Sequence, residues 1–217
     1  MDFVSITEFN SPTGANTMRS RLALTVLTVI LVSLTTASIF AEAPADDGFT
    51  ALFDGKSLDG WHVMNGGKFS ATEGVIKLDG GRGWLRSDKE YADFVRVLEG
   101  RWLKPKQDSG VFLRASKDGG NWPARRYEVQ CENSPRIARI FGASQKRDEK
   151  LALKLLKEDQ QWNRFEIKCV GAKAEVKFNG QVVATSDGFK HLNGYIGLQG
   201  EGGQLEFRDI RIKPLGK

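Results

Sequence analysis

The feature that most narrows what this chain can fold into is a change of character at every second residue. From residue 50 to the end, short runs alternate apolar with polar side chains, and Gly, Asn or Asp closes nearly every run. A β-strand turns successive side chains to opposite faces, so these runs fit half-buried strands and not amphipathic helices. The pattern predicts strands at 50–53, 68–72, 75–78, 83–87, 94–103, 110–115, 127–133, 162–170, 174–178, 181–186, 194–198 and 204–214. One stretch, 150–157, sets leucines among lysines and leaves a short helix, a loop or an edge strand open. Asn179-Gly180 lies between two alternating runs and is the strongest short-range hairpin signal, because both central residues must accept positive φ. Glu73-Gly74 separates two other runs.

The same alternation assigns faces. Phe165, Ile167 and Cys169 share one side of their strand, and Val176 and Phe178 are placed opposite Val182. Leu205, Phe207, Ile210 and Ile212 form a third apolar row whose phase slips at Asp209, which predicts a bulge. Glu166, Lys168, Lys177, Glu206 and Arg208 occupy the opposite, wet faces. Many such strands without helices to cover a parallel sheet imply an all-β sandwich of two antiparallel sheets. The glycine-rich stretches 80–83 and 200–203 precede no helix, so they are tight turns and poor phosphate cradles.

Ahead of the strands, Met18-Arg19-Ser20-Arg21 leads into the apolar run 22–34, and a small-residue segment ends at Ala41-Glu42-Ala43. Basic, apolar, small is the order of a secretory signal, so residues 1–43 are expected to be a leader cleaved after Ala43, with the 17 residues ahead of Met18 open as an upstream extension. An uncleaved membrane anchor is the alternative. Either way the domain, residues 44–217, is expected to be exported to the periplasm or the extracellular space. Loss of the leader raises the formal charge from +5 to +6. That excess is spread along the chain, which argues against a nucleic-acid partner. Cys131 and Cys169 both fall on apolar strand faces; buried free thiols are favoured over a disulfide, which export would permit. No CxxC, CxxCH or histidine-rich spacing is present, which removes c-type haem and ordinary zinc sites.

Several segments in series resemble a known family. They are the opening 48–61 (GFTALFDGKSLDGW), Ser109-Gly110-Val111-Phe112-Leu113-Arg114, Arg126-Tyr127-Glu128-Val129-Gln130, Trp162-Asn163-Arg164-Phe165-Glu166-Ile167, the Asn179-Gly180 hairpin, Gly194-Tyr195-Ile196-Gly197-Leu198-Gln199 and Phe207-Arg208-Asp209-Ile210-Arg211-Ile212-Lys213. Together they resemble the 3-keto-disaccharide hydrolase domain family. The resemblance implies a concanavalin A-like jelly roll whose concave sheet binds ligand, and cleavage of glycosides oxidised to a ketone at sugar carbon 3. Many members carry Gln-Asp-His-Gly where this chain has Gln199-Gly200-Glu201-Gly202. Either Glu201 substitutes for that histidine or the chain is a binding-only variant.

A ketone at carbon 3 acidifies the hydrogen at carbon 2, so elimination needs a base, a cation or donor for the enolate oxygen, and an acid for the leaving group. Period two puts Glu128 and Gln130 on the face opposite Tyr127 and Val129, and Arg114 closes a neighbouring apolar run. The expected roles are Glu128 as base or metal ligand, Arg114 as enolate stabiliser and Glu201 as second acid or base. Gln130 and Gln199 would bind hydroxyls, with Trp122 as a stacking surface. The competing structural reading makes Glu128 and Arg114 an ion pair on a solvated face. Trp162 is expected in the core and His62 and His191 on the surface. No motif requires a cofactor, and a divalent cation stays open. The expected partner is a small carbohydrate, with membrane contact only through an uncleaved anchor. The alternatives to an enzyme are a non-catalytic carbohydrate-binding module and a structural envelope subunit.

Overall fold

The computed structural model describes residues 47–216. The leader, its anchor alternative and the Ala43 boundary lie outside the described residues. Thirteen strands and one helix follow in order: β1 (Thr50–Ala51), β2 (Trp61–Thr72), β3 (Val75–Tyr91), β4 (Phe94–Trp102), β5 (Gly110–Ala115), β6 (Tyr127–Gln130), β7 (Ile140–Phe141), β8 (Lys146–Arg147), α1 (Glu149–Leu155), β9 (Asn163–Val170), β10 (Lys173–Phe178), β11 (Gln181–Ser186), β12 (Gly194–Glu201) and β13 (Gln204–Pro214). Every pairing is antiparallel.

The ladder runs β7-β6-β5-β12-β3-β13-β4-β9-β10-β11-β8, with β1 added to β13 and β2 to β3. The two expected layers are therefore joined, and β3 joins them. Its first half pairs with β13 through Ile76 and Leu78, and its second half with β12 from Arg82 to Tyr91. Gly80 and Gly81, at φ 83° and 81°, supply the bend between the halves, in a region of backbone space that a Cβ disfavours. Side chains from both layers meet in one core, where Val111, Leu113, Val129, Ile196 and Leu198 face Phe165, Ile167, Val176, Phe178 and Phe207. Each such side chain contributes ~1.5–3 kcal/mol by leaving water.

The local signals act as chemistry requires. Asn179 and Gly180, at φ 45° and 89°, make the two-residue turn between β10 and β11. Asp209, at φ 48°, sits where the β13–β4 register slips. The stretch 150–157 is helical through Leu155, as part of α1 (Glu149–Leu155): Asp148 caps it by accepting from the Leu151 amide at 2.9 Å, and Ala152 is its buried residue. Cys131 and Cys169 are buried free thiols, and burial pushes both thiol pKa values up.

Two face assignments change. A register shift after Val176 sets Val182 beside Lys177 on the outer surface, 43% exposed, and sends Val183 into the core instead. Trp162 is also not in the core. It is half-buried, with the guanidinium groups of Arg101 and Arg208 4.6 and 4.1 Å from its ring centre.

Candidate functional site

The outer face of the β6-β5-β12-β3 layer carries the residues that period two turns away from the core. Glu128 and Gln130 project there from β6, Gln199 and Glu201 from β12, and Phe112 and Trp84 meet edge to face between them at 5.8 Å. A recess of about 310 Å³ is lined by Asp108, Trp122, Arg126, Glu128, Gln130, Arg136, Phe141, Gln199 and Glu201. Five of the six sequence-nominated residues, Glu128, Gln130, Gln199, Glu201 and Trp122, thus share one hollow.

The sixth, Arg114, does not reach it. Regular alternation from Gly110 and Phe112 would put residue 114 on the outer face, but β5 carries an extra residue against β12 between Phe112 and Ala115. Arg114 takes φ 48° at that bulge and turns inward, fully buried. Its guanidinium donates to the Ala92, Gly171 and His191 carbonyls at 2.9, 2.6 and 3.4 Å and pairs with Asp93 at 3.0 Å. It ties three loops together and is unavailable to a ligand. It also does not pair with Glu128, so the proposed ion pair is absent too.

The cation beside Glu128 is Arg126, whose Nε lies 3.6 Å from Glu128 Oε2 and makes no hydrogen bond of its own. Arg126 Nη1 donates to the Pro123 carbonyl at 2.9 Å, and the guanidinium lies 5.4 Å from the centre of the Phe112 ring. The strand period could have found this residue, since Arg126 precedes Glu128 by two. Asp108 and Arg136 carry weaker signals, one just ahead of β5 and the other in an aperiodic turn. Asp108 accepts from Gln130 Nε2 and from Arg136 Nη2, the latter at 3.2 Å, and Arg136 Nε also pairs with Glu132 at 2.6 Å. That network fixes the Gln130 amide.

Glu128 can lie flat over β5 because Gly110 has no side chain: a Cβ there would come within 2.5 Å of Glu128 Oε1. Burial raises the Glu128 pKa from 4.5 to about 7, with Arg126 opposing the shift and the charges of Glu201 and Asp108 adding to it. Asp108 is raised to about 6, first by burial and then by Glu132 and Glu201, against Arg136. Gln199 is 3% exposed and its Oε1 has no hydrogen-bond partner. An orphaned buried acceptor on a recess wall calls for a donor from a ligand. The assembly therefore offers a carboxyl poised to exchange a proton near neutrality, an adjacent cation, amides and carboxylates for hydroxyls, and an indole wall. Among the described residues no cluster of His, Cys, Asp and Glu is arranged to hold a metal ion.

Residues 48–213 match the family of 3-keto-alpha-glucoside-1,2-lyase-like domains. The chain belongs to that family. Among solved structures, two candidate glycosyl hydrolases from Parabacteroides distasonis share its fold. One is 24% identical, with a TM-score of 0.62 over 77% of this chain and 99% of the other. The second is 18% identical, with a TM-score of 0.60 over 78% and 94%. A carbohydrate-binding module, CBM66, from Bacillus subtilis is 12% identical with a TM-score of 0.55 over 71% and 95%. These likenesses establish a jelly-roll, galectin-like architecture. No curated protein matches the sequence. Family membership makes this a carbohydrate-active protein, and the recess lies on one outer face of that fold.

Proposed function

We propose that the domain cleaves 3-keto-glycosides by elimination across carbons 1 and 2, and that it does so outside the cytoplasm after removal of residues 1–43. The observation that carries the reading is Glu128, a buried carboxyl raised to about 7 beside an arginine in a recess of the family's domain. As the carboxylate it takes the proton from carbon 2. The electron pair moves toward the carbon 3 oxygen, where Arg126 holds the developing charge, and then returns to expel the carbon 1 oxygen. Glu201 protonates that leaving oxygen. Water adds to carbon 1 of the enone while carbon 2 regains a proton, giving the free 3-keto sugar. Gln199 Oε1 and the fixed Gln130 amide engage ring hydroxyls, and Trp122 offers a face to the pyranose.

A purified 44–217 domain supplied with a 3-keto-disaccharide should release its second sugar, and Glu128→Gln should abolish that release. No turnover across a panel of oxidised disaccharides, with and without added divalent cations, would refute the reading. The Gln199-Gly200-Glu201-Gly202 sequence, without histidine, favours a second reading as a non-catalytic carbohydrate-binding module. Binding of unoxidised glycans that Glu128→Gln leaves intact and Trp122→Ala weakens would support it.

A further inference from the structure

The loop between β5 and β6, residues 116–126, does not simply turn from one strand to the next. It leaves β5 at Ala115, opposite Tyr195 of β12. Its tip returns to Gly200, where Trp122 Nε1 donates to the Gly200 carbonyl at 3.2 Å. Five residues of β12 separate those points, so the loop folds back ~17 Å along the strands at ~3.4 Å per residue. It also reaches sideways. Asn65 Nδ2 of β2 donates to the carbonyls of Gly120 and Asn121 at 2.5 and 3.1 Å. Asn65, Gly83 and Gly200 lie abreast across β2, β3 and β12, so the tip is pinned over three strands in one row. Beneath it Trp84 and Phe112, outward-facing residues on their strands, are almost wholly buried, and Trp122, Met64 and Tyr195 pack around them.

The consequence falls on the recess. Trp122 is one of its walls, and the pinned loop covers the sheet beyond the β12 residues Gln199 and Glu201 that line the recess, over Trp84 of β3 and out to Asn65 of β2. At about 310 Å³ it sits at the small end of ligand sites, which span ~300–1,000 Å³. We infer that Asn65, outside the recess and touching no reacting atom, is a specificity-determining residue: by pinning the loop it admits a terminal sugar unit and refuses the interior of a glycan chain. This rests on the recess being a site for 3-keto-glycosides. Asn65 stands at φ 57°, so Asn65→Gly removes the two donated hydrogen bonds without straining the backbone.

The test compares wild type and Asn65→Gly on two substrates, a 3-keto-disaccharide and a glucan oxidised at carbon 3 of interior units, with amide hydrogen exchange followed over residues 117–124. Wild type should cleave the disaccharide and leave the glucan untouched. Asn65→Gly should keep disaccharide kcat within about threefold while KM rises as Trp122 loosens, raise exchange in the loop and gain glucan cleavage by about tenfold or more over background, a difference of ~1.4 kcal/mol in transition-state access. Wild-type cleavage of the interior-oxidised glucan would overturn the inference while leaving the proposed reaction intact. So would an Asn65→Gly variant whose loop exchanges faster but whose substrate range is unchanged, or one whose loop exchange does not change. Absence of disaccharide cleavage by wild type would remove the proposed reaction and this inference with it.

Discussion

Replacing Glu128 with Gln should make the fold more stable, and by an amount that depends on pH in a defined direction. A carboxyl lifted from 4.5 to about 7 favours its protonated form in the folded state. The lift corresponds to ~3 kcal/mol between the protonation states, at ~1.4 kcal/mol per tenfold change in acidity. Between pH 4.5 and 7 the folded chain holds more protons at this site than the unfolded chain, so raising the pH drains stability from the wild type. Below 4.5 the favourable protonated state is fully populated; above 7 that contribution is gone. The glutamine variant carries no such titration, and the raised carboxyl of Asp108 is common to both proteins. Urea denaturation at pH 4.5 and pH 8 should therefore give stability differences between Glu128→Gln and wild type that diverge by ~2–3 kcal/mol, with the variant gaining as pH rises. A difference that stays constant across that range, or grows toward acid, would refute the buried-base account. The same titration sets the activity profile, because only the carboxylate can accept the carbon 2 proton: kcat/KM should climb with unit slope up to about pH 7.

Gly110→Ala should push the Glu128 carboxylate out of place, lowering kcat by ~100-fold for ~1–3 kcal/mol of stability; unchanged kinetics in a folded variant would show that the close approach is immaterial. Arg126→Ala should reduce kcat by ~100-fold or more with KM little altered, measured by steady-state kinetics, whereas Arg114→Ala should cost ~3 kcal/mol or more of stability and leave KM of any surviving fold unchanged. Gln199→Met should be neutral or stabilising in thermal melts, because it removes an orphaned buried oxygen, yet weaken sugar binding in calorimetry by ~10-fold.

Much of the fold was legible because strand chemistry is local. The Asn179-Gly180 turn, the Asp209 bulge and the inward row Phe165, Ile167, Cys169 follow from neighbours within a few residues. The site was legible to the extent that it obeys the same period, which brought Glu128 and Gln130 together and would have added Arg126. Arg114 failed because one inserted residue reverses every assignment beyond it, and Phe112 followed by Leu113 gives no hint of the insertion. Val182 failed for the same reason across the β10–β11 hairpin. Asp108 meets both Gln130 and Arg136 through tertiary contacts that no spacing encodes. Trp162 illustrates a further limit: opening an apolar strand, it still found its partners in two arginines on the outer surface.

The most direct test of the central claim follows the hydrogen at carbon 2. A 3-keto-glucoside carrying deuterium there, cleaved in ordinary water and quenched after a few turnovers, should yield a free 3-keto sugar with protium at carbon 2, and its cleavage should be slowed relative to the unlabelled substrate. A product that keeps its deuterium while the glycosidic bond breaks at full rate would show that Glu128 takes no proton from that carbon.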